Sequence, residues 1–219
     1  MPVTLFEAGV RREQEESTRP AVVAGTVINN CDLIGHGKVL VRIPSLDKEI
    51  WARIAAIGAG SSRGNLYIPE PDDEVLVALN HDDPNDGFVV GGTWNTSDRP
   101  PVSDPIQLLT KRVIKTGKRG GLGHEVEFDD LQQKITITSS TQQKIAIDPT
   151  TIEISTTGGT AKISMDVAGN ITIQAALSLT LKATQIKIEG AQVEINGAAT
   201  TDVKSTGVCS INAPLVKIN

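Results

Sequence analysis

The sequence predicts an all-β protein in two parts: a small barrel, then a narrow rod of very short strands that three identical chains build together. Three observations carry this. From His124 to Asn219 apolar residues come in pairs at spacing two, the period of a half-buried strand. All six aromatic residues lie at or before Phe128, so the last 91 residues contain none. Residues 20–100, by contrast, hold five or six longer apolar runs separated by turn clusters.

Residues 1–19 form a charged arm, with Glu7, Arg11, Arg12, Glu13, Glu15 and Glu16 and no clear apolar face. These charges do not fit a standard signal peptide. With no run of 18 apolar residues to make a transmembrane helix, the chain is expected to be made and folded in the cytoplasm.

In residues 20–100 the candidate strands are Val22–Asn29, Lys38–Ile43, Ile50–Ile57, Leu66–Ile68, Glu74–Leu79 and Phe88–Thr93. Asn29-Asn30, Gly35-His36-Gly37, Gly58 to Gly64, Pro69 to Asp73 and Asp82 to Gly87 supply the turns between them. So many strands in so short a span suit a Greek-key barrel, with the OB-fold as the natural candidate. Trp51, Tyr67, Phe88 and Trp94 are expected in its core or its outer contacts. Residues 101–123 read as a neck, stiffened by Pro101 and Pro105 and then flexible and basic from Lys115 to Gly123.

The rod follows, over residues 124–219. Its expected core positions are Val126, Phe128, Ile135, Ile137, Ile145, Ile147, Ile152, Ile154, Ile163, Met165, Ile171 and Ile173. They continue with Leu179, Leu181, Ile186, Ile188, Val193, Ile195 and Ile211, with Val203 and Val208 as looser members. A core without rings is narrow, because rings are how an ordinary interior buries large area. One chain contributes only two inward side chains per rung, too few to close a core alone. A single-chain β-solenoid and several chains wound together both fit the pattern. Rungs of about eight residues are short for a right-handed solenoid and break the strict period of six of a left-handed one, which favours three intertwined chains.

The barrel segment also carries an ordered series of short motifs. They are Gly25-Thr-Val-Ile-Asn29, Gly37-Lys-Val-Leu-Val-Arg-Ile-Pro44, Trp51-Ala-Arg-Ile54, Ile68-Pro-Glu70 and Asp73-Glu-Val-Leu-Val77. His81-Asp-Asp-Pro84, Val90-Gly-Gly92 and Asp98-Arg-Pro-Pro101 complete the series. Together these resemble the OB-fold of the phage baseplate assembly protein V and VgrG family, the central spikes of contractile injection systems. The resemblance implies an OB-fold followed by a triple-stranded β-helix in a homotrimer, acting as a membrane-puncturing needle in a virion tail or injection-particle baseplate. It further implies a separate baseplate hub protein at the N-terminal end, touched by the arm. A PAAR-like tip protein is implied at the other end, on Val216, Lys217, Ile218 and Asn219, with transient contact to the target membrane. No His follows His124, so the His-x-His metal tip of some phage spikes is not expected.

No catalytic, metal or cofactor site is expected. His81-Asp82-Asp83 with Asp86 has cation ligands but also reads as an ordinary solvated turn. Gly117 to Gly123 lacks the Gly-Lys-Ser/Thr ending of a phosphate loop. Asp129-Asp130 and Asp72-Asp73-Glu74 supply carboxylates for a glycan-degrading tailspike-type enzyme, the main alternative, but the rod has no aromatic sugar platform. Residues 20–104 hold six Lys or Arg against twelve Asp or Glu, a balance that repels a nucleic-acid backbone. Cys31 and Cys209 read as free thiols.

Overall fold

The computed structural model describes residues 22–80, 83 and 85–218. The expected arm (residues 1–19), His81, Asp82 and Asn219 lie outside them. Contacts divide the chain into two units, Met1–Leu177 and Ser178–Asn219.

The first unit begins with a closed barrel in the order β1-β2-β3-β7-β6. Its strands are β1 (Val22–Asn29), β2 (Lys38–Ile43), β3 (Lys48–Ile54), β6 (Glu74–Leu79) and β7 (Gly87–Gly92). All neighbours are antiparallel except β3 and β7, which pair in parallel through Arg53–Phe88 and Ile54–Val89. Five strands closed in this order make the expected OB-type barrel. Alternation along each strand sends Val23, Val27, Val39, Val41, Ile43, Ile50, Ala52, Val75, Val77 and Val89 into one buried cluster. The barrel is narrow enough that branched aliphatics fill it.

The rings lie outside this core. Trp51, Tyr67 and Trp94 are exposed, and Phe88 carries the Arg53 guanidinium 4.1 Å above its ring centre. Gly25 on β1 is required by space: a Cβ there would sit 2.5 Å from Val41 Cγ1 and 2.9 Å from the Arg42 carbonyl. Leu66–Ile68, expected as a strand, has no ladder; a small hairpin of β4 (Ala59–Gly60) and β5 (Arg63–Gly64) occupies the connection instead.

The stretch expected as a neck holds regular structure. Asp104 caps a short helix α1 (Pro105–Thr110), its carboxylate accepting from the Ile106 and Gln107 N–H groups at 2.9 and 3.0 Å, with Pro105 at the first turn. Strand β8 (Lys111–Lys115) follows and opens a seven-stranded antiparallel sheet, β8 to β14 in sequence order. The others are β9 (Glu125–Asp129), β10 (Lys134–Thr138), β11 (Lys144–Ile147), β12 (Thr151–Ser155), β13 (Ala161–Asp166) and β14 (Ile171–Ala175). The sheet thus starts at Lys111 rather than after Gly123. Its first hairpin depends on Gly123, where a Cβ would run into the Thr116 carbonyl.

In the second unit, residues 178–218 have no strand ladder among the described residues. The chain there runs as short segments without regular structure, broken by bends at 184, 191–192, 198–199, 206–207 and 214. The expected strands of this region are therefore absent from the single chain.

Candidate functional site: the two-row apolar face

Sheet register gathers the expected core residues of the first unit into two rows. Direct pairing links Ile114, Val126, Ile137, Ile145, Ile154, Ile163 and Ile173 across all seven strands. The second row links Phe128, Ile135, Ile147, Ile152, Met165 and Ile171, with Arg112 opposite Phe128 on β8. All twelve residues expected here, from Val126 to Ile173, lie in these rows. Ile114 was missed because it sits alone between basic residues in the stretch read as a neck. Its spacing of two from Arg112 gives no apolar pair.

This face is open in the single chain. Phe128, Ile135, Ile137, Ile145, Ile147, Ile152, Ile154 and Ile163 are each 38–45% exposed, although every one has paired neighbours on the sheet. The first row lines a cavity of about 580 Å3 running along the face. Contiguous exposed apolar surface of this kind is what marks an interaction face.

The opposite face is polar and ion-paired. Lys111 Nζ lies 3.1 Å from Glu127 and 3.6 Å from Asp129, which is only 5% exposed. The hydrogen bond that Lys111 donates to Glu127 raises the Lys111 pKa, with Asp129 adding to it and burial opposing both. Lys115 pairs with Glu125 at 2.8 Å, and Lys162 with Glu153 at 2.6 Å. The Lys162 bond holds the Glu153 carboxyl below its ordinary range. These cross-strand pairs fix register without any apolar contribution.

Turn carboxylates complete the sheet. Asp148 accepts from the Thr150 N–H at 2.9 Å and its hydroxyl at 2.8 Å, then from the Thr151 hydroxyl and N–H, both at 2.9 Å. These bonds hold it far below the usual carboxylate range. At the barrel, Arg119 from the β8–β9 loop grips Asp98 at 2.7 and 2.9 Å and reaches Asp73 at 3.5 Å.

The candidate polar sites are otherwise engaged. Asp86 binds Arg53 at 2.8 and 3.0 Å, and Asp83 accepts from the Asn85 N–H. Asp129 accepts from Gln132 N–H as well as pairing with Lys111. Asp73 accepts from Glu70 N–H, and Glu74 from the Thr93 hydroxyl. Among the described residues no group of three or more His, Cys, Asp or Glu stands ready for a metal. Among the described residues no helix is long and apolar enough to cross a membrane.

In the second unit, Leu179, Leu181, Ile186, Ile188, Val193, Ile195 and Ile211 are exposed, each on a segment between bends with no strand ladder. Val216, Lys217 and Ile218 are exposed too, and Asn219 lies outside the described residues.

The described structure is thus an OB-type barrel followed by a short-stranded sheet with one continuous apolar face. Residues 23–94 match the family described as "Type VI secretion system/phage-baseplate injector OB domain". That match covers the barrel, about a third of the chain. It is 33% identical over 108 residues to the type VI secretion system spike protein VgrG3 of Vibrio cholerae, covering 46% of this chain and 10% of that one. It is 30% identical over 103 residues to the actin cross-linking toxin VgrG1 of Vibrio cholerae, covering 43% and 9%. It is 26% identical over 136 residues to the spike protein VgrG2a of Pseudomonas aeruginosa, covering 58% and 16%. The chain spans at most 16% of the length of these relatives.

Proposed function

We propose that the protein is the homotrimeric central spike of a contractile injection system. In this reading three copies close their two-row apolar faces on a common axis and continue as an intertwined β-helix through residues 178–219. The observation that carries it is the pair of rows left open by the single chain. Each buried aliphatic side chain is worth about 1.5–3 kcal/mol, and this gain is completed only on association. The family resemblance supports a baseplate location, where the spike links a separate hub to a PAAR-like tip and pierces the target envelope. Its action is mechanical and non-catalytic: it transmits the force of contraction along a shaft whose backbone groups are all paired. The residues of both rows, with Leu179 to Ile211, form the trimer core, and Val216 to Asn219 receive the tip.

The test is the mass of the full chain in solution, with its resistance to SDS at room temperature. The expected result is three chains per particle and an SDS-resistant band. A well-folded monomer at micromolar concentration overturns the reading.

A further inference from the structure

Resting on the three-chain reading, the second unit permits a sharper assignment of what faces the axis. Its bends recur every seven or eight residues, at 184, 191–192, 198–199, 206–207 and 214. Each segment between bends therefore has room for one spacing-two pair. Leu179 with Leu181, Ile186 with Ile188, and Val193 with Ile195 are evident, as is Val216 with Ile218.

Ion pairs fix the opposite side. Lys187 bonds Glu189 at 2.6 Å and Lys204 bonds Asp202 at 3.1 Å, each a contact between residues two apart, which share one side once the segment is a strand of the proposed rod. Asn196 likewise bonds Glu194. The residues alternating with them point the other way, which puts Thr201 beside Val203 in the apolar column.

Segment 208–213 offers two choices. Val208 with Ser210 would turn Ile211 outward. Cys209 with Ile211 keeps an apolar pair and repeats the step of eight from Thr201 and Val203. Every charged residue from 178 to 218 then falls outward: Lys182, Lys187, Glu189, Glu194, Asp202, Lys204 and Lys217.

We infer that Thr201 and Cys209 are axial positions that pack against the same residues of two further copies, while Val208 lies on the outside. The exposed Cys209 of the single chain is then a buried thiol of the assembly.

The experiment uses the full-length Cys31→Ser chain, so that Cys209 is the sole thiol, with mass measured on the same sample. Reaction with a maleimide should be slower by about two orders of magnitude or more than in denaturant, because it waits on opening of the rod. Val208→Glu should leave the mass and SDS resistance unchanged, whereas Cys209→Glu should abolish the resistance. A three-chain particle whose Cys209 reacts at the denatured rate overturns this register and leaves the spike reading standing. The same holds if Val208→Glu, rather than Cys209→Glu, breaks the assembly. A monomeric mass overturns both.

Discussion

Ile145→Asp is the most searching perturbation of the apolar face. Ile145 sits mid-row between Ile137 and Ile154 and is 38% exposed in the single chain. Association has roughly two fifths of that side chain left to cover, about 0.6–1.1 kcal/mol per chain. The carboxylate reverses the balance, since an uncompensated charge left in a buried site costs about 3–5 kcal/mol. In the proposed trimer three such charges would meet near one axis, for a total on the order of 10 kcal/mol per particle. At micromolar concentration the variant should sediment as single chains that still contain β-structure. Lowering the pH should restore assembly in part, because burial raises the carboxyl pKa and the neutral acid is tolerated below it. Thr172→Asp, on the polar face opposite Ser164, is the control and should sediment as wild type. If Ile145→Asp assembles as tightly as Thr172→Asp, the two rows are not the interface.

Other outcomes follow from particular contacts. Gly25→Ala forces a methyl against Val41 and the Arg42 carbonyl, and should lower barrel stability by about 1–3 kcal/mol in a denaturant titration while the mass stays unchanged. Gly123→Ala blocks closure of the first hairpin, and should increase hydrogen exchange across β8 and β9. Asp148 and Asp166 have folded pKa values held below the ordinary 3.8, the first by the Thr150 N–H and hydroxyl and the second by the Asn170 amide. Their contribution is present above about pH 4 and is lost as pH falls through the lower folded values, so Asp148→Asn should flatten the acid limb of the stability profile.

The barrel was legible because its strands are long and its turns are chemically marked. Val22–Asn29, Lys38–Ile43 and Glu74–Leu79 coincide with the expected runs. Leu66–Ile68 misled because three apolar residues look the same in an exposed connection as in a strand. Helix α1 had a readable start in Asp104-Pro105, but its six residues give no helical period. Strand β8 was obscured by its lysines and arginine, which the sheet places along its polar face and at the end of one row. From Val126 to Ile173, spacing two picked out residues that the sheet register places on one face. Beyond Ala175 the same spacing meets no ladder in one chain, because the hydrogen-bonding partners that the spacing anticipates belong to other molecules in the proposed assembly.

The meander of four- to six-residue strands has a consequence for how such proteins diverge. Removing one strand reverses the direction in which the chain leaves the sheet, whereas removing a whole hairpin preserves it. Heritable changes in reach should therefore come in increments of two strands, about 9.6 Å each. In the proposed spike, barrel and far terminus would then meet their neighbours unchanged, and shaft length would be adjusted like a ladder cut between rungs.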